Sequence, residues 1–199
     1  PKYRKTYWHT CSHVLAQAVK RLYPDVKLAI GPAIDDGFYY DFDAPFNFTQ
    51  EHLDALEAEM RKICKEKLKL ERFELPREEA IKFMEEKDEP FKVELINDLP
   101  ADAHISFYKQ GDFTDLCTGP HLMRTGNVKA VKLTSITGAY WRGDASNKML
   151  QRLYGIAFPK QSLLEEHLTM LEEAKKRDHN KLGRELELFT TSDVIGQGR

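Results

Sequence analysis

The sequence is poor in cysteine: 199 residues hold three, Cys11, Cys64 and Cys117. An odd, sparse count in a chain of this size excludes a disulfide scaffold and points to a reduced, cytosolic setting. Long apolar runs are missing too. Stretches such as Leu28 to Ile30 fall far short of the roughly 20 residues a membrane helix needs. The basic start, Pro1-Lys2-Tyr3-Arg4-Lys5, leads into no apolar segment, so no signal peptide and no membrane partner are expected. Neither charge sign dominates, with Lys+Arg 30 against Asp+Glu 32 and a net charge of −2. That excludes a uniformly basic nucleic-acid coat while leaving room for a local patch. Without a Cys-x-x-Cys pair or a dinucleotide-type glycine fingerprint, redox chemistry has nothing to rest on.

What is present suffices for a core: 41% of residues are hydrophobic and 31% charged, room for one domain, or one domain and a piece of another. The charge is uneven. Residues 51 to 100 carry 10 basic and 15 acidic side chains. From His121 to Arg152 six bases (Arg124, Lys129, Lys132, Arg142, Lys148, Arg152) face one acid, Asp144, which makes this segment the candidate contact for a polyanion.

Residues 8 to 23 read as a helix closed by Pro24 and Asp25. A hairpin signal at Asp36-Gly37 precedes Phe38, Tyr40 and Phe42, which alternate with Tyr39, Asp41 and Asp43 as in a strand. Thr49 caps a second helix to about Lys67, with Leu53, Leu56, Met60 and Cys64 on one face. Residues 69 to 75 look extended, Pro76 opens a short helix, and Lys92 to Ile96 form another turn of helix. From His104 the pattern is β-rich. Ser162-Leu163-Leu164-Glu165 then starts a charged helix. The expected fold is α+β, with one mixed or antiparallel sheet packed against helices and a C-terminal linker helix.

Two constellations carry chemistry. In His9-Thr10-Cys11-Ser12-His13 the i, i+4 spacing puts both imidazoles on one helix face. At about 100° per residue, with His9 at 0°, His13 falls near 40° and Lys20 near 20°, whereas Cys11, Leu15, Ala18 and Leu22 fall between roughly 180° and 240°. The pair therefore lies opposite the apolar stripe. The second constellation, Asp115-Leu116-Cys117-Thr118-Gly119-Pro120-His121, is a loop by its Gly-Pro, across which Cys117 and His121 can converge. Three imidazoles and a thiol form a legitimate zinc set. The same groups also act without metal, as general bases and a partly ionised thiol. Thr10 stands where the helical metalloprotease motif needs its glutamate. Lys92, in Glu89-Pro90-Phe91-Lys92, reads as a surface lysine. Gly138 to Asp144, with Tyr140, Trp141 and Arg142, suits a tight β-turn or a platform near a nucleotide.

Taken in order, these blocks resemble a known family. His9-x3-His13, Leu28-Ala29-Ile30-Gly31-Pro32, Gly37-Phe38-Tyr39-Tyr40-Asp41, Asp115-Leu116-Cys117-x-Gly119-Pro120-His121, Gly138 to Asp144, Asn147 to Arg152 and Tyr154-Gly155 are followed by Lys176 to His179 and Leu182 to Leu186. The whole is similar to the N-terminal editing domain of bacterial-type threonyl-tRNA synthetases. The resemblance implies an editing domain over residues 1–159, a linker helix over 160–186 and the start of a class II aminoacylation domain over 187–199. It implies hydrolysis of the mischarged ester seryl-tRNA(Thr), with the tRNA(Thr) acceptor end as partner. His9, His13, Lys92, Cys117 and His121 would be the catalytic set. Tyr40 and Asp115 would line the site, Asp115 holding the serine ammonium, and Tyr140, Trp141 and Arg142 would meet the tRNA. The family dimerises through a domain outside this chain, so a monomer is expected here. No cofactor is expected. Zinc at His9, His13, Cys117 and His121, as in the alanyl-type editing relatives, is the competing reading, and a non-catalytic acceptor-end binding module is the third.

Overall fold

The structure, a computed structural model, describes residues 2–35, 37–117, 125–128, 130–158 and 162–177. Helix α1 spans Lys2–Leu22, several residues earlier than its polarity suggests. Tyr7 and Trp8 explain the extension. Both are buried, with the Tyr7 hydroxyl donating to the Phe158 carbonyl and Trp8 Nε1 to the Ala157 carbonyl. Tertiary contact thus carries a turn that composition alone would leave frayed.

After α1 come two short strands, β1 (Lys27–Leu28) and β2 (Ala33–Ile34), then β3 (Gly37–Asp43). The β2–β3 hairpin pairs Ile34 with Gly37, so the turn sits one residue earlier than the Asp36-Gly37 signal suggests. In β3 the alternation holds, since Phe38, Tyr40 and Phe42 are all fully buried. Helix α2 (Gln50–Lys65) begins at Thr49, whose amide donates to His52 Nδ1 at 2.9 Å, and it buries Leu53, Leu56, Met60, Ile63 and Cys64.

Strand β4 (Leu70–Leu75), helix α3 (Arg77–Glu86) and helix α4 (Pro90–Asp98) follow, then β5 (Ile105–Gln110) and β6 (Phe113–Leu116). A short 3-10 turn over Thr125–Asn127 precedes β7 (Ala130–Tyr140), and β8 (Met149–Phe158) completes the series. A fifth helix, α5, occupies 162–177. The chain divides into two compact units, Pro1–Pro159 and Lys160–Arg199. The remainder of the expected linker, 178–186, and the expected 187–199 segment lie outside the described residues.

The fold is α+β. Its antiparallel strands form two sheets: β1-β3-β8-β7 with β2 on β3, and β4-β5-β6. Each sheet faces a buried apolar cluster, and Leu70 of β4 and Phe113 of β6 also reach the larger one. Cys11, Val14, Leu15 and Val19 of α1 pack with β3 and with Leu53, Leu56 and Met60 of α2. Ala80, Met84 and Ile96 of α3 and α4 pack on Ile105 and Phe107 of β5. The second sheet carries its own helices because β4 and β5 are joined by α3 and α4, which pack on it, while Phe91 and Leu95 of α4 also pack beside Trp141, Ala29 and Leu150.

Candidate active site

The site forms where α1, α4, β3 and β6 meet. On α1, Cys11 and Leu15 belong to the main core. His9 and His13, on the other face, have their ring centroids 5.2 Å apart in an edge arrangement. The pair lies opposite the apolar stripe, as the helical spacing predicts, and that face too is covered. His13 is buried and His9 half-buried, because the strands of the second sheet cover that face.

Asp115, on β6, is the hub. Its Oδ2 accepts from the Tyr40 hydroxyl at 2.6 Å and faces His13 Nδ1 at 3.5 Å. Its Oδ1 lies 3.0 Å from Lys92 Nζ and accepts from the Leu116 amide at 2.8 Å. Lys92 is therefore no surface lysine; its side chain is 3% exposed. A buried ammonium requires a buried carboxylate to offset its lost hydration, and Asp115 supplies it. Both Asp115 oxygens are engaged by the chain itself, so a substrate ammonium would share the carboxylate with Tyr40, His13 and Lys92.

Cys117 follows two residues on, with Sγ 3.3 Å from His9 Nε2. The Ser106 hydroxyl donates to its carbonyl at 2.6 Å and its amide donates to the Ser106 carbonyl at 3.1 Å, which fixes the end of β6. Tyr40 is set by a close approach. A Cβ at Gly31 would stand 2.0 Å from Tyr40 Cδ2, so the ring occupies space that only glycine leaves. The Ser12 hydroxyl lies 2.7 Å from both the His9 and the Gly31 carbonyls. Ser12 and Ser106 brace the site yet were not singled out by sequence. For Ser12, a serine in mid-helix directly between two histidines was the available signal; Ser106 offered none.

Burial dominates the electrostatics. It holds the His13 imidazole well below its ordinary range, reinforced by the neighbouring His9 ring and the Lys92 ammonium. It pushes the Tyr40 phenol up, with the Asp115 carboxylate adding to the shift. His13 is thus neutral and Tyr40 a donor at neutral pH.

By ligand type His9, His13 and Cys117 suit zinc, and their ligand atoms lie within 4.8 Å of one another. They form the only such histidine, cysteine and acid group among the described residues. Asp115 would serve as the outer carboxylate orienting His13. His121, the fourth expected member, lies outside the described residues.

The remaining expected residues sit apart. Trp141 is 4% exposed and packs with Ala29 and Leu150. Its ring lies 5.0 Å from Phe91 and its Nε1 donates to Glu94 at 3.1 Å. It is a packing residue and offers no open face to a base, which corrects the expected contact. Arg142 pairs with Glu94 and Asp98 of α4, and Tyr140 is 40% exposed. The positive segment is likewise neutralised in space. Lys132 pairs with Glu57 at 3.3 Å, Lys148 with Asp43 at 2.7 Å and Arg152 with Asp41 at 2.8 Å. Acids distant in sequence supply the balance that the segment count omits. Arg124 and Lys129 lie outside the described residues. No described helix is long and apolar enough to cross a membrane.

Residues 105–154 match the family described as the threonyl and alanyl tRNA synthetase second additional domain. Over 187 residues the chain is 69% identical to the threonine-tRNA ligases of Caldanaerobacter subterraneus subsp. tengcongensis and of Clostridium kluyveri. It is 68% identical over 190 residues to that of Clostridium tetani. The matches cover 94–96% of this chain and 29–30% of those relatives, so the chain spans about three tenths of their length. Identity of this level across nearly the whole chain, together with the domain match around Asp115 and Cys117, makes the chain similar to one part of the threonine-tRNA ligases, the part that holds the second additional domain of the threonyl and alanyl enzymes.

Proposed function

We propose that this chain hydrolyses the ester bond of seryl-tRNA(Thr), acting as a proofreading aminoacyl-tRNA hydrolase on the acceptor end. The observation that supports this most directly is the convergence of His9, His13, Tyr40, Lys92, Asp115 and Cys117, from four separate elements, on one buried polar cluster. A threonine-specific synthetic site gains only about 1–3 kcal/mol from one methyl group when it rejects serine, so a second, hydrolytic site answers a chemical need.

The reaction requires a water oxygen to attack the ester carbonyl, the bond to the ribose oxygen to break, and a proton to reach that oxygen. His9, half-buried and in contact with the Cys117 sulfur, is the group on the accessible side of the cluster and takes the proton from water. Lys92, held by Asp115, provides the positive field for the developing oxyanion. His13, kept neutral by burial, and Tyr40, kept protonated, hold the Asp115 carboxylate in place. Threonine is refused by steric conflict of its additional methyl. If a metal is bound, His9, His13 and Cys117 would hold it, and it would supply an acidified water.

The test is hydrolysis of seryl-tRNA(Thr) and threonyl-tRNA(Thr) side by side, with and without a chelator. Selective, chelator-insensitive loss of serine is expected. Chelator-sensitive loss would favour the zinc hydrolase instead. Binding of the acceptor end with no loss of either ester would reduce the chain to a binding module.

A further inference from the structure

We propose that Glu89 is a positioning residue which, through its ion pair with Lys20, sets Lys92 against Asp115; the inference rests on the hydrolytic reading above. Glu89 is buried, and its two oxygens are used by two other elements. Oε1 is 2.8 Å from Lys20 Nζ on α1, and Oε2 accepts from the Leu28 amide of β1 at 2.8 Å. Lys20 in turn donates to the Pro24 and Val26 carbonyls at 3.0 Å each, which fixes the ammonium at the end of α1.

Glu89 stands at the N-cap of α4, with Pro90 next, but its side chain makes no cap hydrogen bond. A glutamate there serves the helix by capping or by its charge. This one spends both oxygens outward, on α1 and β1. Burial raises its carboxyl above the usual range, opposed by Lys20 and the Leu28 amide, so the ionised form depends on those partners.

The consequence is geometric. Lys20 lies on the same stripe of α1 as His9 and His13, about 10 Å along the axis from His13. Lys92 is three residues beyond Glu89, in the first turn of α4. Leu28 pairs with Phe42 in β3, the strand that carries Tyr40. Glu89 therefore joins the three elements whose side chains, His13, Lys92 and Tyr40, meet on Asp115. Releasing it frees α4 to shift relative to α1 and β3, and Lys92 moves with α4.

Glu89→Gln is compared with Lys92→Ala and with Ile63→Val, an α2 core change that serves as a control for lost stability. Two quantities are read on the full chain: seryl-tRNA(Thr) deacylation, separated into kcat and KM, and the Lys92 ammonium resonance in 15N-lysine protein, assigned by its disappearance in Lys92→Ala. Glu89→Gln is expected to lower kcat about tenfold or more with KM within twofold, and to shift or broaden the Lys92 resonance while Ile63→Val leaves it in place. Lys20→Met removes the same ion pair from the other side and is expected to act in the same direction, which decides the matter if Glu89→Gln fails to fold. A Lys92 resonance and kcat indistinguishable from those of Ile63→Val would overturn the proposal. Should Lys92→Ala retain full deacylation, the hydrolytic role of Lys92 fails separately, and the resonance alone decides whether Glu89 positions it.

Discussion

Lys92 Nζ lies 3.0 Å from Asp115 Oδ1, with 3% and 1% of the two side chains exposed. A charge pair this deep is weakly stabilising when whole but strongly destabilising when halved, because the partner left behind remains buried and unpaired. Asp115→Asn is therefore expected to lower stability by about 3–5 kcal/mol and to abolish deacylation. Lys92→Met with Asp115→Leu should destabilise less than the sum of the single changes. A double-mutant cycle by chemical denaturation measures the coupling, and strict additivity would mean that the two groups do not rely on each other.

His9→Ala and Cys117→Ser are expected to remove deacylation of seryl-tRNA(Thr) while leaving the thermal transition near that of the parent chain. His9 is half-buried and the thiol-to-hydroxyl change keeps volume. Metal content measured on the same samples settles the zinc question, since a resident ion would leave with either substitution. Full activity in both variants would break the assignment of these two residues.

The pH dependence follows from His13. In the folded chain its imidazole is held neutral by burial, whereas in the unfolded chain it takes a proton near pH 6.5. Below about pH 6.5 the unfolded chain thus binds one proton more. The stability involved is complete above that pH and is lost as pH falls toward the depressed folded value, at no more than about 1.4 kcal/mol per pH unit. Denaturation of chelator-treated protein between pH 7 and 5 should show a shallower loss for His13→Gln than for the parent. Equal slopes would place the imidazole in an ordinary, hydrated setting.

Trp141→Ala is expected to destabilise the chain by about 3–5 kcal/mol, as for other fully buried aromatics. Tyr140→Ala should leave the melting temperature unchanged and raise KM for the tRNA ester. The pair of measurements separates the packing tryptophan from its exposed neighbour. A KM effect confined to Trp141, with no loss of stability, would reverse the assignment.

Much of this was legible in the residues, and where it was not the reasons are physical. Periodicity gave α2 its buried face, because Leu53, Leu56 and Met60 lie on one helical stripe. It gave β3 its inward Phe38, Tyr40 and Phe42 by strict alternation. The His9–His13 pair followed from helical spacing. Lys92 defeated pattern reading because its burial is decided by Asp115, more than twenty residues away. Trp141 reads from the sequence as part of a tight β-turn or of a platform near a nucleotide, yet Phe91 and Glu94 of α4 enclose it. Segment charge failed for the same reason: Glu57, Asp43 and Asp41 neutralise bases far along the chain. Long-range pairing is the information a local window lacks.

The division of the buried residues between a larger and a smaller core has a dynamic consequence. His9, His13 and Tyr40 belong to elements of the larger one, whereas Asp115 lies in the β4-β5-β6 sheet, Cys117 directly follows it, and Lys92 is on α4, whose Ile96 packs in the smaller core. Opening of the smaller core alone would take apart the cluster around Asp115 while the larger core stayed folded, so the proposed chemistry would fail before the molecule melts. Amide exchange along β5 and α4 should then run ahead of exchange along α1 and β3. The temperature at which activity disappears becomes a measure of how firmly the smaller layer stays closed on the larger.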